Sequence, residues 1–180
     1  MKVLFLDIDG VVCCSVPGII EDKLMANLRA VIDATDAKIV LSSDWRRHKM
    51  ARMEVRRVLG RHGLADRLIG CTPILGHAWS AHRPKEILLW LDQHAQRLAR
   101  GEASPGLDAV DAFVAVDDRA LLEEVGGAGL VNHFVMTHIR RGLTRKMAEA
   151  AIECLQGGEA GSGNGGPLLA ARRPPPGLVP

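Results

Sequence analysis

An apolar run, Val3 to Leu6, leads without interruption into Asp7-Ile8-Asp9-Gly10-Val11. A run with no polar alternation reads as a strand buried on both faces of a parallel sheet. Two acids then stand at its C-terminal end. Residues two apart on a strand share a face, so both carboxylates are predicted to project the same way, while Gly10 lets the backbone turn off sharply. Two carboxylates about 5 Å apart at an effective dielectric near 20 repel by roughly 3 kcal/mol. A shared proton or a bound cation relieves this. Ligands that are all oxygen suit a hard divalent ion, Mg²⁺ above all. The alternative for this motif by itself is an acidic turn after an edge strand.

A chain of 180 residues predicts one domain large enough to bury a proper core. Its aliphatic richness and scarcity of aromatics suit an α/β protein. The formal charge of +2 is nearly balanced, so any preference for an anionic partner must come from local clusters. Cys13, Cys14, Cys71 and Cys154 show no metal-ligand spacing and read as reduced thiols. The chain begins with the strand itself and no apolar stretch approaches the roughly 20 residues that span a bilayer. An intracellular, cytoplasmic protein with no membrane contact is therefore expected. From Gly157 onward Gly and Pro take half of the positions, so 157–180 is expected to be a disordered tail after a domain at 1–156.

Along the chain, Ile20, Leu24, Leu28 and Ile32 recur at helical spacing, and Lys38 to Leu41 read as a second buried strand. It ends at Ser42-Ser43-Asp44-Trp45-Arg46, from which one long helix is predicted up to Gly60 or Gly63. That helix is basic: Arg46, Arg47, Lys49, Arg52, Arg56, Arg57 and Arg61 face only Glu54. It reads either as a solvated face or as a dock for a polyanion such as nucleic acid. Arg67 to Cys71 predict a third strand, and a loop holding His77, Trp79 and His82 follows. A helix from about Pro84 carries Ile87, Leu88, Leu91, Ala95 and Leu98 on one side. After a linker with Gly101, Pro105 and Gly106, Phe113 to Val116 form a fourth strand ending at Asp117-Asp118. A short helix over Ala120–Val125, a fifth strand at Phe134–Met136 and a last helix capped by Thr144 complete the pattern. Strands alternating with helices predict a doubly wound, Rossmann-like parallel sheet of about five strands, whose ligands bind beyond the C-terminal strand ends. Asp7, Asp9, Ser42, Asp117 and Asp118 all fall at such ends.

In order and placement these features resemble the haloacid dehalogenase-like superfamily over nearly the whole ordered part of the chain. Asp7-Ile8-Asp9-Gly10-Val11 matches its first motif, Ser42 the second, Lys85 or Arg83 the third, and Asp117-Asp118 the fourth. Ser42-Ser43-Asp44-Trp45-Arg46, Arg83-Pro84-Lys85-Glu86-Ile87 and Gly142-Leu143-Thr144 are similar to a small capless group, the HAD-type domain of "Swiss army knife" RNA repair proteins and their stand-alone relatives. The resemblance implies a Mg²⁺-dependent phosphatase. Asp7 would attack phosphorus to give an aspartyl-phosphate, and Asp9 would act as acid and then base. Mg²⁺ would be held by the Asp7 carboxylate, the Asp9 carbonyl and Asp118, with Asp117 direct or through water. Ser42 would bind the phosphoryl group, and Lys85 or Arg83 would balance its charge.

The intervals where the superfamily inserts caps hold ordinary strand and helix patterns, so no large cap domain is expected. An open site suits a large phosphorylated substrate, with nucleic-acid or nucleotide esters among those that fit. Ser43, Gly10 and Arg46 are candidate substrate contacts, as is Trp79, a loop aromatic able to stack on a base. Trp45 could stack on a substrate too, but beside a strand end it reads first as core or loop packing. Two other classes stay open: a receiver-type phospho-acceptor module, suggested by Val116-Asp117-Asp118, and a non-catalytic nucleic-acid or protein-binding domain on the same fold. The sequence leaves substrate identity and oligomeric state open.

Overall fold

A central strand must be apolar on both sides, and Lys2–Leu6 (β1) meets the requirement, with Val3, Leu4 and Phe5 wholly buried. In the computed structural model, which describes residues 1–77, 80–102 and 108–157, β1 lies between Lys38–Leu41 (β2) and Ala112–Asp117 (β4). Leu68–Cys71 (β3) pairs outside β2, and Phe134–Met136 (β5) outside β4. All pairings are parallel, in the order β3-β2-β1-β4-β5. Trp79 and the Gly/Pro-rich tail beyond Gly157 lie outside the described residues.

Helices cover both faces, as parallel crossovers require. Asp22–Thr35 (α1), Lys49–Arg61 (α2) and Arg145–Gln156 (α4) pack Leu24, Leu28, Val55, Val58, Ala151 and Leu155 against Leu4, Ile39 and Val114. On the opposite face Arg83–Ala99 (α3) places Ile87 with Val3, Phe5, Val40 and Ala115. Thr144 caps α4 as expected, its hydroxyl accepting the Met147 N–H. No cap domain interrupts the sheet crossovers among the described residues.

Three expectations are corrected. The receiver reading fails on strand order, because such modules follow 2-1-3-4-5, with β3 beside β1, whereas here β4 takes that place. The single long basic helix is broken: Asp44–Arg47 form a 3₁₀ turn, His48 is extended, and α2 starts at Lys49. The cause is Arg46, which turns inward instead of joining the basic face. Likewise the helix predicted at Ala120–Val125 is a single 3₁₀ turn, Leu121–Glu123; a second, Gly127–Leu130, follows it after Gly126, whose φ is +94°. No helix among the described residues is long and apolar enough to cross a membrane.

Candidate active site

Side chains alternate along a strand, so the residues two beyond Phe5, Val40 and Ala115 emerge on the face those three share with α3. They are Asp7, Ser42 and Asp117. The ladder keeps them abreast: the Asp7 N–H donates to the Val116 carbonyl at 3.1 Å and the Ser42 N–H to the Leu6 carbonyl at 2.8 Å. Between β1 and β4 the direction of winding reverses, which opens the crevice where ligands of such sheets bind.

Asp118 joins from the turn after β4. Asp7, Asp117 and Asp118 each bring a carboxylate oxygen to within 4.8 Å of the others. Gly10 makes the approach possible: its φ is +68°, and a Cβ there would stand 2.4 Å from Asp118 Cγ. The Thr137 hydroxyl donates to the Gly10 carbonyl at 2.7 Å and holds this backbone in place. Gly10 is thus the space Asp118 occupies, more than a substrate contact.

Asp9 is exposed where Asp7 is buried, and its charge reaches Asp118, whose pKa it helps to raise. The N–H groups of Val11, Val12 and Cys13 all reach the Ile8 carbonyl, at 3.2, 2.9 and 2.9 Å, so the chain has left strand geometry before Asp9. Its exposed carboxylate accepts the Trp45 indole N–H at 2.8 Å on Oδ2. Trp45 therefore does more than pack, and the sequence reading missed this.

The helical period separates Arg83 from Lys85. Arg83 lies four residues before the buried Ile87 and enters the site at the start of α3, its side chain 3% exposed. Its Nη1 is 2.8 Å from Asp117 Oδ2 and 3.1 Å from Asp7 Oδ1, and its Nη2 is 3.6 Å from Asp44 Oδ2. Lys85, the alternative cation, is exposed and packs its stem against Gly126, so of the two it is Arg83 that the structure brings to the acids. Burial works against the charge on Arg83, but Asp7, Asp117 and Asp44 more than offset it and push its pKa up.

Electrostatics in the cluster follow from burial. Burial first, then the Asp7 charge, raises Asp117 to about 8 despite Arg83. Asp7 is raised by burial, with Arg83, the Ser43 hydroxyl and the Ile8 backbone opposing. Asp118 is raised as well, chiefly by burial.

The turn after β2 serves several partners. Ser43, 1% exposed, caps it by accepting the Trp45 N–H and lies against Asp7, while Asp44 reaches Arg83. Arg46, expected to meet substrate, faces into the fold instead. It is buried, donates to the carbonyls of Ser43, Thr72 and Pro73 at 2.8, 3.2 and 3.2 Å, and pairs with buried Glu86. With its donors engaged inside the fold, it is a strut. Ser42 is 2% exposed and its hydroxyl has no partner among the described residues, an expensive state unless a ligand completes it. A cavity of about 450 Å³ lined by Leu88, Leu91, Leu98 and Phe113 lies between α3 and the start of β4, at the far end of the sheet from the acids.

The residues fit a divalent cation. Three convergent carboxylates against one guanidinium leave two formal negative charges when all are ionised, and the donors are all oxygen. Asp7, Asp117 and Asp118 are the ones placed to hold it.

Strand order and acid placement together define the class, an α/β domain of the haloacid dehalogenase type without a cap among the described residues. The chain belongs to the family described as the HAD domain in Swiss Army Knife RNA repair proteins, whose sequence profile matches residues 3–148. No curated protein and no solved structure matches it. Membership places the chain among domains with phosphohydrolase-type chemistry.

Proposed function

We propose that this protein is a Mg²⁺-dependent phosphomonoester phosphatase working through an aspartyl-phosphate. The observation that carries the reading is the meeting of Asp7, Asp117 and Asp118 with buried Arg83 at the switch point of the sheet. An Asp7 oxygen attacks phosphorus, the bond to the leaving oxygen breaks, and Asp9 gives that oxygen its proton. Water then attacks phosphorus while Asp9 takes a proton back, and the bond to the Asp7 oxygen breaks, releasing inorganic phosphate and the free Asp7 carboxylate. The Ser42 hydroxyl and the Ser43 main-chain N–H hydrogen-bond phosphoryl oxygens, and Arg83 balances their charge. Mg²⁺, held by Asp7, Asp117, Asp118 and the Asp9 carbonyl, would supply neutralisation of charge on the transferring group.

The substrate class is part of the proposal: a large or nucleic-acid/nucleotide phosphoester. Lys49, Arg52, Arg56, Arg57 and Arg61 are all exposed along α2, in the same βα connection that carries Ser42. All four cysteines are free, which accords with action in the cytoplasm.

The test is a phosphate-release screen with Mg²⁺ over nucleic-acid ends, nucleotides, phosphopeptides and small phosphoesters, with Asp7→Asn as the blank. Release by the wild type and none by the variant is the expected result. Turnover that persists in Asp7→Asn overturns the mechanism. Oligonucleotide binding with no release from any substrate makes the protein a non-catalytic binding domain instead.

A further inference from the structure

General-acid catalysis needs a carboxyl whose position is fixed as well as one that holds a proton. The main chain of Asp9 is fixed from below: the Ile8 carbonyl collects three N–H groups and the Gly10 N–H donates to the Cys13 carbonyl at 2.9 Å. Its side chain is exposed, with the Cys13 thiol beside it in the same loop, so the orientation of the carboxylate depends on the groups that hold its oxygens. Trp45 is placed to do so, with Nε1 2.8 Å from Asp9 Oδ2.

The element carrying Trp45 is itself pinned. Before it, Ser43 accepts the Trp45 backbone N–H. After it, Arg46 is locked among three carbonyls and Glu86, and Arg47 Nε donates to Asp44 at 2.9 Å. The same turn holds Ser43 against Asp7 and Asp44 against Arg83. Its shape therefore registers the Asp9 side chain against the nucleophile and the site's cation.

From this geometry we infer that Trp45 is a positioning residue that selects which oxygen of Asp9 delivers the proton, an inference that rests on the phosphohydrolase reading. An indole N–H donates and cannot accept. With Oδ2 receiving that N–H, the proton Asp9 transfers is carried on Oδ1, and the hydrogen bond fixes the plane of the carboxyl. In the first step the Asp7–phosphorus bond forms, the phosphorus–leaving-oxygen bond breaks, and the Oδ1 proton moves to the leaving oxygen. In the second, the water oxygen bonds to phosphorus, the phosphorus–Asp7 oxygen bond breaks with its electron pair returning to the Asp7 carboxylate, and Oδ1 takes a proton from that water. The electron pair of the broken bond stays on the leaving oxygen throughout, and no further reactant is needed.

Leaving-group dependence separates this role from packing. An alkoxide must be protonated as it departs, whereas p-nitrophenolate departs without a proton. The experiment measures kcat/KM for p-nitrophenyl phosphate and for an alkyl phosphate with wild type, with Trp45→Phe, and with β-(3-benzothienyl)alanine incorporated at position 45. The last replaces only the N–H by sulfur and keeps the shape, so it decides the matter if the Phe variant does not fold. In both substituted proteins the alkyl ester is expected to lose about tenfold more than the aryl ester, with the loss in kcat more than in KM. Equal losses on the two esters, or none, overturn the inference while leaving the phosphohydrolase reading intact. A wild type that releases phosphate from neither ester nor any other substrate overturns the reading and the inference together.

Discussion

Burying a guanidinium costs several kcal/mol, and Arg83 sustains it because Asp7, Asp117 and Asp44 surround its nitrogens. Arg83→Ala leaves those carboxylates facing one another, so a loss of about 3 kcal/mol in urea unfolding and of turnover is expected. Lys85→Ala, at an exposed position two residues on, should stay within about 0.5 kcal/mol of the wild type. The acids themselves make cation affinity pH-dependent. Asp117 is raised from 3.8 to about 8 by burial and by Asp7, so the folded chain without metal holds a proton that its unfolded form releases earlier. Its stability contribution therefore falls as pH rises from 3.8 towards 8, and a divalent cation must displace that proton. The rise in Tm on adding Mg²⁺ is expected to grow between about pH 6 and about pH 8 and then level off, as read by differential scanning calorimetry. A Tm shift independent of pH would show that the cation binds elsewhere. Gly10 was legible only as a turn, since its closeness to Asp118 depends on a residue more than a hundred positions away.

Among the elements, the 3₁₀ turn at Asp44–Arg47 departs furthest from its predicted form. Nothing in the local pattern of residues 44–61 separates one helix from a turn plus a helix, because both keep Val55, Val58 and Leu59 on the core side. The break is made by the Arg46–Glu86 pair, whose members sit on different crossovers. Arg46→Ala strands a buried carboxylate and is expected to cost about 3–5 kcal/mol, while Arg46→Met with Glu86→Leu should recover most of that loss in the same unfolding assay. The loop after β1 has its own clasp. Glu21, just before α1, accepts the N–H groups of Cys14 and Ser15 at 3.0 and 2.7 Å, and the Ser15 N–H above all lowers its pKa from 4.5 to about 2. A lowered carboxylate stabilises above its unfolded pKa and ceases to as pH falls through its folded one. Glu21→Gln is thus expected to lose about 2 kcal/mol at neutral pH, a deficit that narrows as pH drops from 4.5 towards 2. A deficit unchanged with pH would assign the loss to packing.

At the scale of the whole molecule, a sheet covered on both sides leaves its C-terminal edge as the place for chemistry, and no cap among the described residues closes over it. An open edge beside a basic helix bears on substrate size. Reversing the charges of Lys49, Arg56 and Arg61 together is expected to flatten the salt dependence of single-stranded oligonucleotide binding by about 2 in log Kd against log salt. An unchanged slope would show that α2 is only a solvated face. Much of this architecture could be read before any coordinates: period-two and period-3.6 patterns are properties of adjacent residues, so β1, β2, β4 and β5, the alternation of strands with helices and the arrival of Asp7, Ser42 and Asp117 at strand ends were local facts. The family motifs followed from the same stretches. What only the tertiary structure decided are the contacts between residues far apart in sequence. Arg83 meets Asp117 across 34 residues, Trp45 meets Asp9 across 36 and Arg46 meets Glu86 across 40. A charge or an indole N–H can be found in a sequence, but its partner is chosen by the packing: burial makes an unpaired charge too costly and so joins Arg83 to Asp117 and Arg46 to Glu86, while the exposed Asp9 meets Trp45 because the turn after β2 carries the indole there.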